Sequence, residues 1–216
     1  MKLPEIDLDK LCHKKWVAYF DLLGSKNRKT LELYEIYATC LREAEWNTHL
    51  IDSVQIAYFS DTFLLYTPDD SIKSLNCIDK AACGFFDDLI DRDIPVRGAI
   101  ACNEFYPDKA NGIYLGQALV EAHEFGEKYN WLGLVLHKSA LDAMAERGRT
   151  ATDRGHYKKW NAEFLNKLNN KYCKEEVTAY FSLNNLENLK SLALQADVEY
   201  KGKYLNSIDF HEATAD

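Results

Sequence analysis

A chain of 216 residues is long enough for one domain with a real core and short for two. With 47% apolar and 12% aromatic residues it has the composition of an ordinary folded protein. The net charge of −8 speaks against nucleic acid as a partner, because phosphate contacts need a basic surface. It leaves room for a small anionic substrate met through a metal ion.

Met1 to Lys15 carries no apolar segment of the signal-peptide kind, and no run approaches a membrane span. The cysteines, Cys12, Cys40, Cys77, Cys83, Cys102 and Cys173, form no C-x-x-C pair and no zinc-type spacing with histidine. The expectation is a cytoplasmic protein with reduced thiols and no membrane contact.

Trp16 to Phe20 is a short apolar run that reads as a buried strand and ends in Asp21-Leu22-Leu23-Gly24. Leu31, Tyr34, Ala38 and Leu41 then recur at helical spacing in a stretch, 27–51, without glycine or proline. Val54–Phe59 and Thr62–Thr67 are two strands separated only by Ser60 and Asp61, which predicts a tight hairpin. Ser-Asp lacks the preferred Asn-Gly chemistry, so an imperfect or bulged turn is expected. Ile72, Leu75, Ile78, Ala82, Phe85 and Leu89 line one stripe of a second helix, and Pro95 leads into a strand over Val96–Cys102.

Strand, helix, strand, strand, helix, strand is the order of a ferredoxin-like α+β unit, with both helices on one face of a four-stranded antiparallel sheet. Beyond it the reading is a third helix after Gly116, a strand over Trp131–Leu136 and a short helix over Ser139–Ala145. Residues 147–172 read as a loop and then an exposed helix, and Val177–Leu183 and Val198–Leu205 as closing strands. The chain is taken as one domain, 1–216, with its core at about 16–137 and a C-terminal elaboration over about 138–216.

Asp21 closes the first strand and Asp61 sits in the hairpin turn, and in this topology those ends lie side by side. Two carboxylates at one rim, near backbone carbonyls, suit Mg²⁺, a hard ion that takes oxygen ligands. Either aspartate alone is an ordinary turn residue; the pair is the signal.

F-D-L-L-G (Phe20–Gly24), S-D-T (Ser60–Thr62), R-G-A-I (Arg97–Ile100) and L-G-Q-A-L-V-E-A-H-E-F (Leu115–Phe125) resemble, in that order, the core motifs of class III nucleotide cyclases. The likeness is greatest to the compact bacterial pyrimidine (uridylate and cytidylate) cyclases of Pycsar anti-phage signalling. It implies that Asp21, Asp61 and the carbonyl of Leu22 hold two Mg²⁺ or Mn²⁺ ions. Gly24 would let the backbone approach the triphosphate. The 3′-hydroxyl would attack the α-phosphate, giving a 3′,5′-cyclic nucleotide and pyrophosphate. The resemblance further implies a homodimer with active sites at its interface and a separate effector that binds the cyclic product.

Two departures stand out. Many class III cyclases carry Asn and Arg on the helix after the glycine, and here those slots are Val120 and Glu124. Arg97 is then either the source of transition-state charge or a strand arginine in a structural salt bridge. The strand before Asp61, Gln55–Phe59, lacks the charged purine reader of adenylate and guanylate cyclases, so purine readout is not expected, and together with the resemblance this implies a pyrimidine triphosphate, UTP before CTP. Tyr58 is a candidate for the smaller base, but strand alternation places Ala57 on the face shared with Asp61, and Tyr58 otherwise reads as core. The rival readings are a catalytically inactive nucleotide-binding module and another metal-dependent phosphoryl-transfer enzyme. The histidines are scattered; Lys201 and Lys203 could touch a triphosphate, as late lysines of the family do, but read first as a solvated hairpin; and Asp87, Asp88, Asp91 and Asp93 read as an exposed acidic face.

Overall fold

Trp16 to Phe20 are all buried, because their strand, β1 (Lys14–Leu22), runs through a sheet covered on both faces. The computed structural model describes residues 13–24, 29–49, 53–166, 168–182, 184–198 and 200–215. Cys12 and the rest of the N-terminal 1–12, residues 27, 28, 50 and 51 of the predicted first helix, Leu183 and the side chain of His49 lie outside them.

In chain order β1 is followed by α1 (Thr30–His49), β2 (Gln55–Phe59), β3 (Thr62–Tyr66), α2 (Ile72–Asp91) and β4 (Val96–Glu104). Then come β5 (Tyr106–Asp108), β6 (Ile113–Leu115), α3 (Gln117–Lys128), β7 (Leu134–Leu136) and α4 (Lys138–Glu146). The chain closes with β8 (Tyr157–Asn166), β9 (Lys171–Tyr180), α5 (Asn185–Gln195) and α6 (Lys201–Thr214). The main sheet runs β2-β3-β1-β4-β7-β9-β8. Its first four strands have the predicted split β-α-β order and are antiparallel. β7 extends the sheet by pairing parallel to β4, and the β9–β8 hairpin extends it again.

The alternation of β1 sorts the core into two layers. Trp16, Ala18, Phe20 and Leu22 pack with Cys40 and Ala44 of α1 and with Leu75, Ile78, Ala82, Phe85 and Leu89 of the predicted α2 stripe, whose first member, Ile72, is exposed instead. Ser71 caps α2, its hydroxyl accepting from the Ser74 amide. Val17 and Tyr19 face the other way and pack with Ala101, Ala118 and Ala122, so α3 covers the opposite face. Gly126 lets α3 lie flush on β4: a Cβ there would stand 3.1 Å from Ala99 N and from Gly98 C, both backbone atoms.

Several expectations need correction. The hairpin has no bulge, since Phe59 pairs with Thr62 and the register runs unbroken to Gln55 and Tyr66. The turn is closed instead by a left-handed Ser60 (φ 54°). Tyr58 is not core but 59% exposed.

Residues 157–166 are a strand, not a helix. Trp160, Ala162 and Phe164 alternate toward the core, and the Trp160/Phe164 spacing mimics a helical one. Val198–Leu205 is not a strand: Tyr204, Ser207, Ile208 and His211 form the buried face of α6, whose period shows only beyond Leu205. Of Trp131–Leu136 only the last three residues pair. Asp87 and Asp88 are half-buried brackets: Asp87 accepts from Tyr180 (2.6 Å) and Asn185 (2.8 Å), and Asp88 from Asn47 (2.6 Å).

Two outcomes follow from this packing. Gly126→Val lifts α3 off β4 and should cost about 2 kcal/mol or more of stability in urea unfolding. Ser60→Gly removes the left-handed penalty and should raise stability by about 0.5–1 kcal/mol in the same measurement.

Candidate active site

The β1–β4 register sets Asp21 opposite Arg97, and the β1–β3 register sets it opposite Thr62. Residues facing each other across an antiparallel ladder point to the same side, so the carboxylate and the guanidinium meet. Arg97 Nε donates to Asp21 Oδ2 at 2.9 Å, and the Arg97 Nη2 lies 2.8 Å from the same oxygen. Both side chains are only 14–15% exposed. Of the two readings of Arg97, its place here is a salt bridge, and its partner is the proposed metal ligand itself.

Asp61 is brought to the same rim. Its carbonyl accepts from the Leu22 amide at 2.9 Å, which ties the hairpin turn to the end of β1. Its charge reaches Asp21. Burial pushes the Asp21 carboxyl above its ordinary value, Arg97 opposes that rise, and the charges of Glu127 and Asp61 add to it.

Leu22 itself is buried among the core side chains. Gly24 is left-handed (φ 82°) with open space where a Cβ would stand, so conformation rather than crowding demands glycine there. Ala57 is buried on the Asp21 side of the sheet. Tyr58 points the other way and stacks on Phe63 at 5.9 Å, with no bulge to turn it round.

The sequence reading missed two members of the cluster, Tyr19 and Glu127, and ranked a third, Lys203, first as a hairpin lysine. Arg97 Nη1 donates to the Glu127 carbonyl at 2.9 Å, and its Nη2 lies 3.5 Å from Glu127 Oε2. Tyr19 donates to Glu127 Oε1 at 2.8 Å and packs edge-on against His123. Burial, helped by the nearby Arg97 charge, pushes the Lys203 ammonium below its usual value, while Asp21 and Glu127 oppose the fall. Lys203 is therefore a half-buried cation over this site and not a solvated hairpin lysine. Tyr19 was legible by alternation from Asp21; Glu127 and Lys203 depend on how α3 and α6 dock. Val120 and Glu124 are exposed on α3. A cleft of about 780 Å³ opens beside Arg97, lined also by His123, Glu127, Tyr129, Phe164 and Lys203.

Asp21 and Asp61 offer oxygen donors, the chemistry Mg²⁺ and Mn²⁺ take. Oxygen donors from two elements at one rim are the set a hard divalent ion takes, so the residue types fit such an ion.

The fold is that of the catalytic domain of class III nucleotide cyclases, α+β with a mixed sheet and helices on both faces. The chain is similar to the catalytic core of a rhodopsin-guanylyl cyclase with converted specificity solved with ATPαS (TM-score 0.58, 10% identity, 78% of this chain and 96% of that one). It is also similar to the monomeric guanylyl cyclase domain of the RhoGC fusion protein from the aquatic fungus Blastocladiella emersonii (0.54, 11%, 78% and 95%). A third likeness is to adenylate cyclases from Trypanosoma brucei in their monomeric state (0.52, 12%, 78% and 88%). No protein-family model matches the sequence, and no curated protein matches it significantly. Among the described residues no helix is long and apolar enough to cross a membrane.

The Asp21–Arg97 pair is testable by a double-mutant cycle. Arg97→Met strands a poorly solvated carboxylate and should cost about 2–4 kcal/mol in urea unfolding. Adding Asp21→Ala should recover part of that loss, giving a coupling of about 1 kcal/mol or more.

Proposed function

We propose that this chain is a nucleotide cyclase whose metal-binding rim is built from Asp21 and Asp61. The observation that supports it best is the convergence of these two residues at the end of β1, fastened by the Leu22–Asp61 backbone bond, on a fold shared with cyclase catalytic domains. Two Mg²⁺ or Mn²⁺ ions held by Asp21, Asp61 and the Leu22 carbonyl would polarise the 3′-hydroxyl and the phosphates. In that reaction the O3′–Pα bond would form, the bond from Pα to the leaving pyrophosphate would break, and the hydroxyl proton would pass to solvent water. Arg97 and Lys203 put positive charge beside that rim, in place of the arginine missing at Glu124. Preorganised charge of this kind is the main source of rate in phosphoryl transfer.

The motifs F-D-L-L-G, S-D-T and R-G-A-I favour the pyrimidine type, so the proposed substrate is UTP before CTP and the proposed setting is anti-phage signalling to a separate effector. The uncharged strand Gln55–Phe59 agrees with that choice, with Ala57 on the Asp21 side of the sheet. Base reading by Tyr58 would require the site of a second chain, which a homodimer with interfacial sites provides. The competing reading, a nucleotide-binding module without turnover, draws on the salt bridge that occupies Asp21 and on Val120 and Glu124.

Incubating the protein with each of the four nucleoside triphosphates and Mn²⁺, with products identified by mass spectrometry, separates them. The cyclase reading expects a 3′,5′-cyclic nucleotide, cUMP foremost, and no product from any nucleotide leaves the binding module. Asp21→Ala and Asp61→Ala should each lower turnover at least about a thousandfold while the oligomeric state by light scattering stays as in the parent. Normal turnover in either variant removes the metal-site assignment.

A further inference from the structure

On the side of the sheet away from Asp21, α2 and the segment entering β8 bring a carboxylate, a thiol and an imidazole together. We propose that Asp79, Cys83 and His156 form a second metal site, chemically separate from the first, for a borderline transition ion of the Zn²⁺ class. The proposal stands independently of the cyclase reading.

Asp79 and Cys83 are one turn apart on α2 and share a face. They are 7% and 8% exposed. His156 comes from the loop after the 3-10 turn Thr152–Arg154, more than seventy positions along the chain. One ligand atom from each of the three lies within 4.8 Å of the others. Around a tetrahedral ion with Zn²⁺ bond lengths, ligand atoms stand roughly 3.3–3.8 Å apart, so about an ångström of side-chain rotation closes the set. The half-exposed His156 leaves an entry side, with the fourth position open to water.

The surroundings accept the exchange. Asp79 Oδ2 is held by Arg154 at 2.5 Å and lies 3.2 Å from His156 Nε2, while Tyr157 donates to Oδ1 at 2.7 Å. Arg154 also donates to Asn76 Oδ1 at 2.6 Å, so its guanidinium keeps a partner when an ion takes its place on Asp79. The Tyr157 hydroxyl is 3.7 Å from Cys83 Sγ and can turn its proton toward a thiolate, the kind of outer contact that orients metal ligands.

Burial holds the Cys83 thiol protonated without an ion. On binding, the S–H bond breaks, the metal–sulfur bond forms and one proton passes to solvent. A dipositive ion with one carboxylate and one thiolate sums to zero, which leaves the charge of the displaced Arg154 guanidinium, 18% exposed, as the net charge of the cluster. Sulfur and imidazole donors favour Zn²⁺ or Co²⁺ over Mg²⁺. The bound ion would fasten the start of β8 to α2.

Metal-stripped full-length protein titrated with Co²⁺ should bind one ion at this site, with a sulfur-to-cobalt charge-transfer absorption that Zn²⁺ abolishes and Mg²⁺ does not. Cys83→Ser should lose that absorption, His156→Gln should bind at least about 30-fold more weakly, and Asp21→Asn should change neither. Circular dichroism checks that each variant is folded, and where Cys83→Ser is not, the partly exposed His156→Gln decides. An absorption that survives Cys83→Ser, or equal Co²⁺ affinity in the parent and His156→Gln, reduces the cluster to an ion pair of Asp79 with Arg154 and overturns the proposal.

Discussion

The site turns on one pairing, the carboxylate of Asp21 against the guanidinium of Arg97 at matched positions of neighbouring strands. A largely buried charge must be met by another charge or be neutralised. Everything near Asp21 is arranged around that demand. Arg97 is steadied in turn by the carbonyl and carboxylate of Glu127, and Glu127 by Tyr19. Glu127 reaches the sheet because the preceding glycine lets α3 press its backbone against β4. The packing of a helix and the charge state of a strand residue are therefore one problem, solved by the absence of a side chain at position 126.

The same pairing bears on chemistry. A guanidinium lying on the carboxylate competes with any cation for the Asp21 oxygens. Loading of the rim would require Arg97 to yield part of its grip, and the cleft beside it, with Lys203 at its edge, is where an anion would draw it. Arginine is suited to such a role, because its fork can exchange one oxygen partner for another without losing its charge.

Much of the central architecture was legible in the chain. The β1 run, the hairpin and the α2 stripe carry strong local periods, and their order alone implies the arrangement β2-β3-β1-β4 found here. Asp21 and Asp61 could be placed together because both stand at strand ends, where topology fixes position without help from side-chain detail. The C-terminal third was misread for a physical reason. Trp160 and Phe164 satisfy a helical spacing as well as a strand alternation, and the polar residues around them, Lys158, Lys159, Asn161 and Glu163, hide which is meant. In α6 the apolar period begins at Tyr204 and becomes visible only with Ile208 and His211. Glu127, Lys203 and the Asp79–Cys83–His156 cluster have no local signature, since each is assembled by contacts between distant elements.

The parallel placement of β7 also governs how the chain can be built. Three residues pair on one side with β4, and the other side is covered by β9, which follows more than thirty residues later. A nascent chain ending before β9 leaves that strand with a naked hydrogen-bonding edge beside a formed core, a template for association with other chains. The terminal hairpin is thus the closing stave of the sheet, and a truncation that looks harmless on a linear map of motifs would hand an aggregation-prone fragment to the cell.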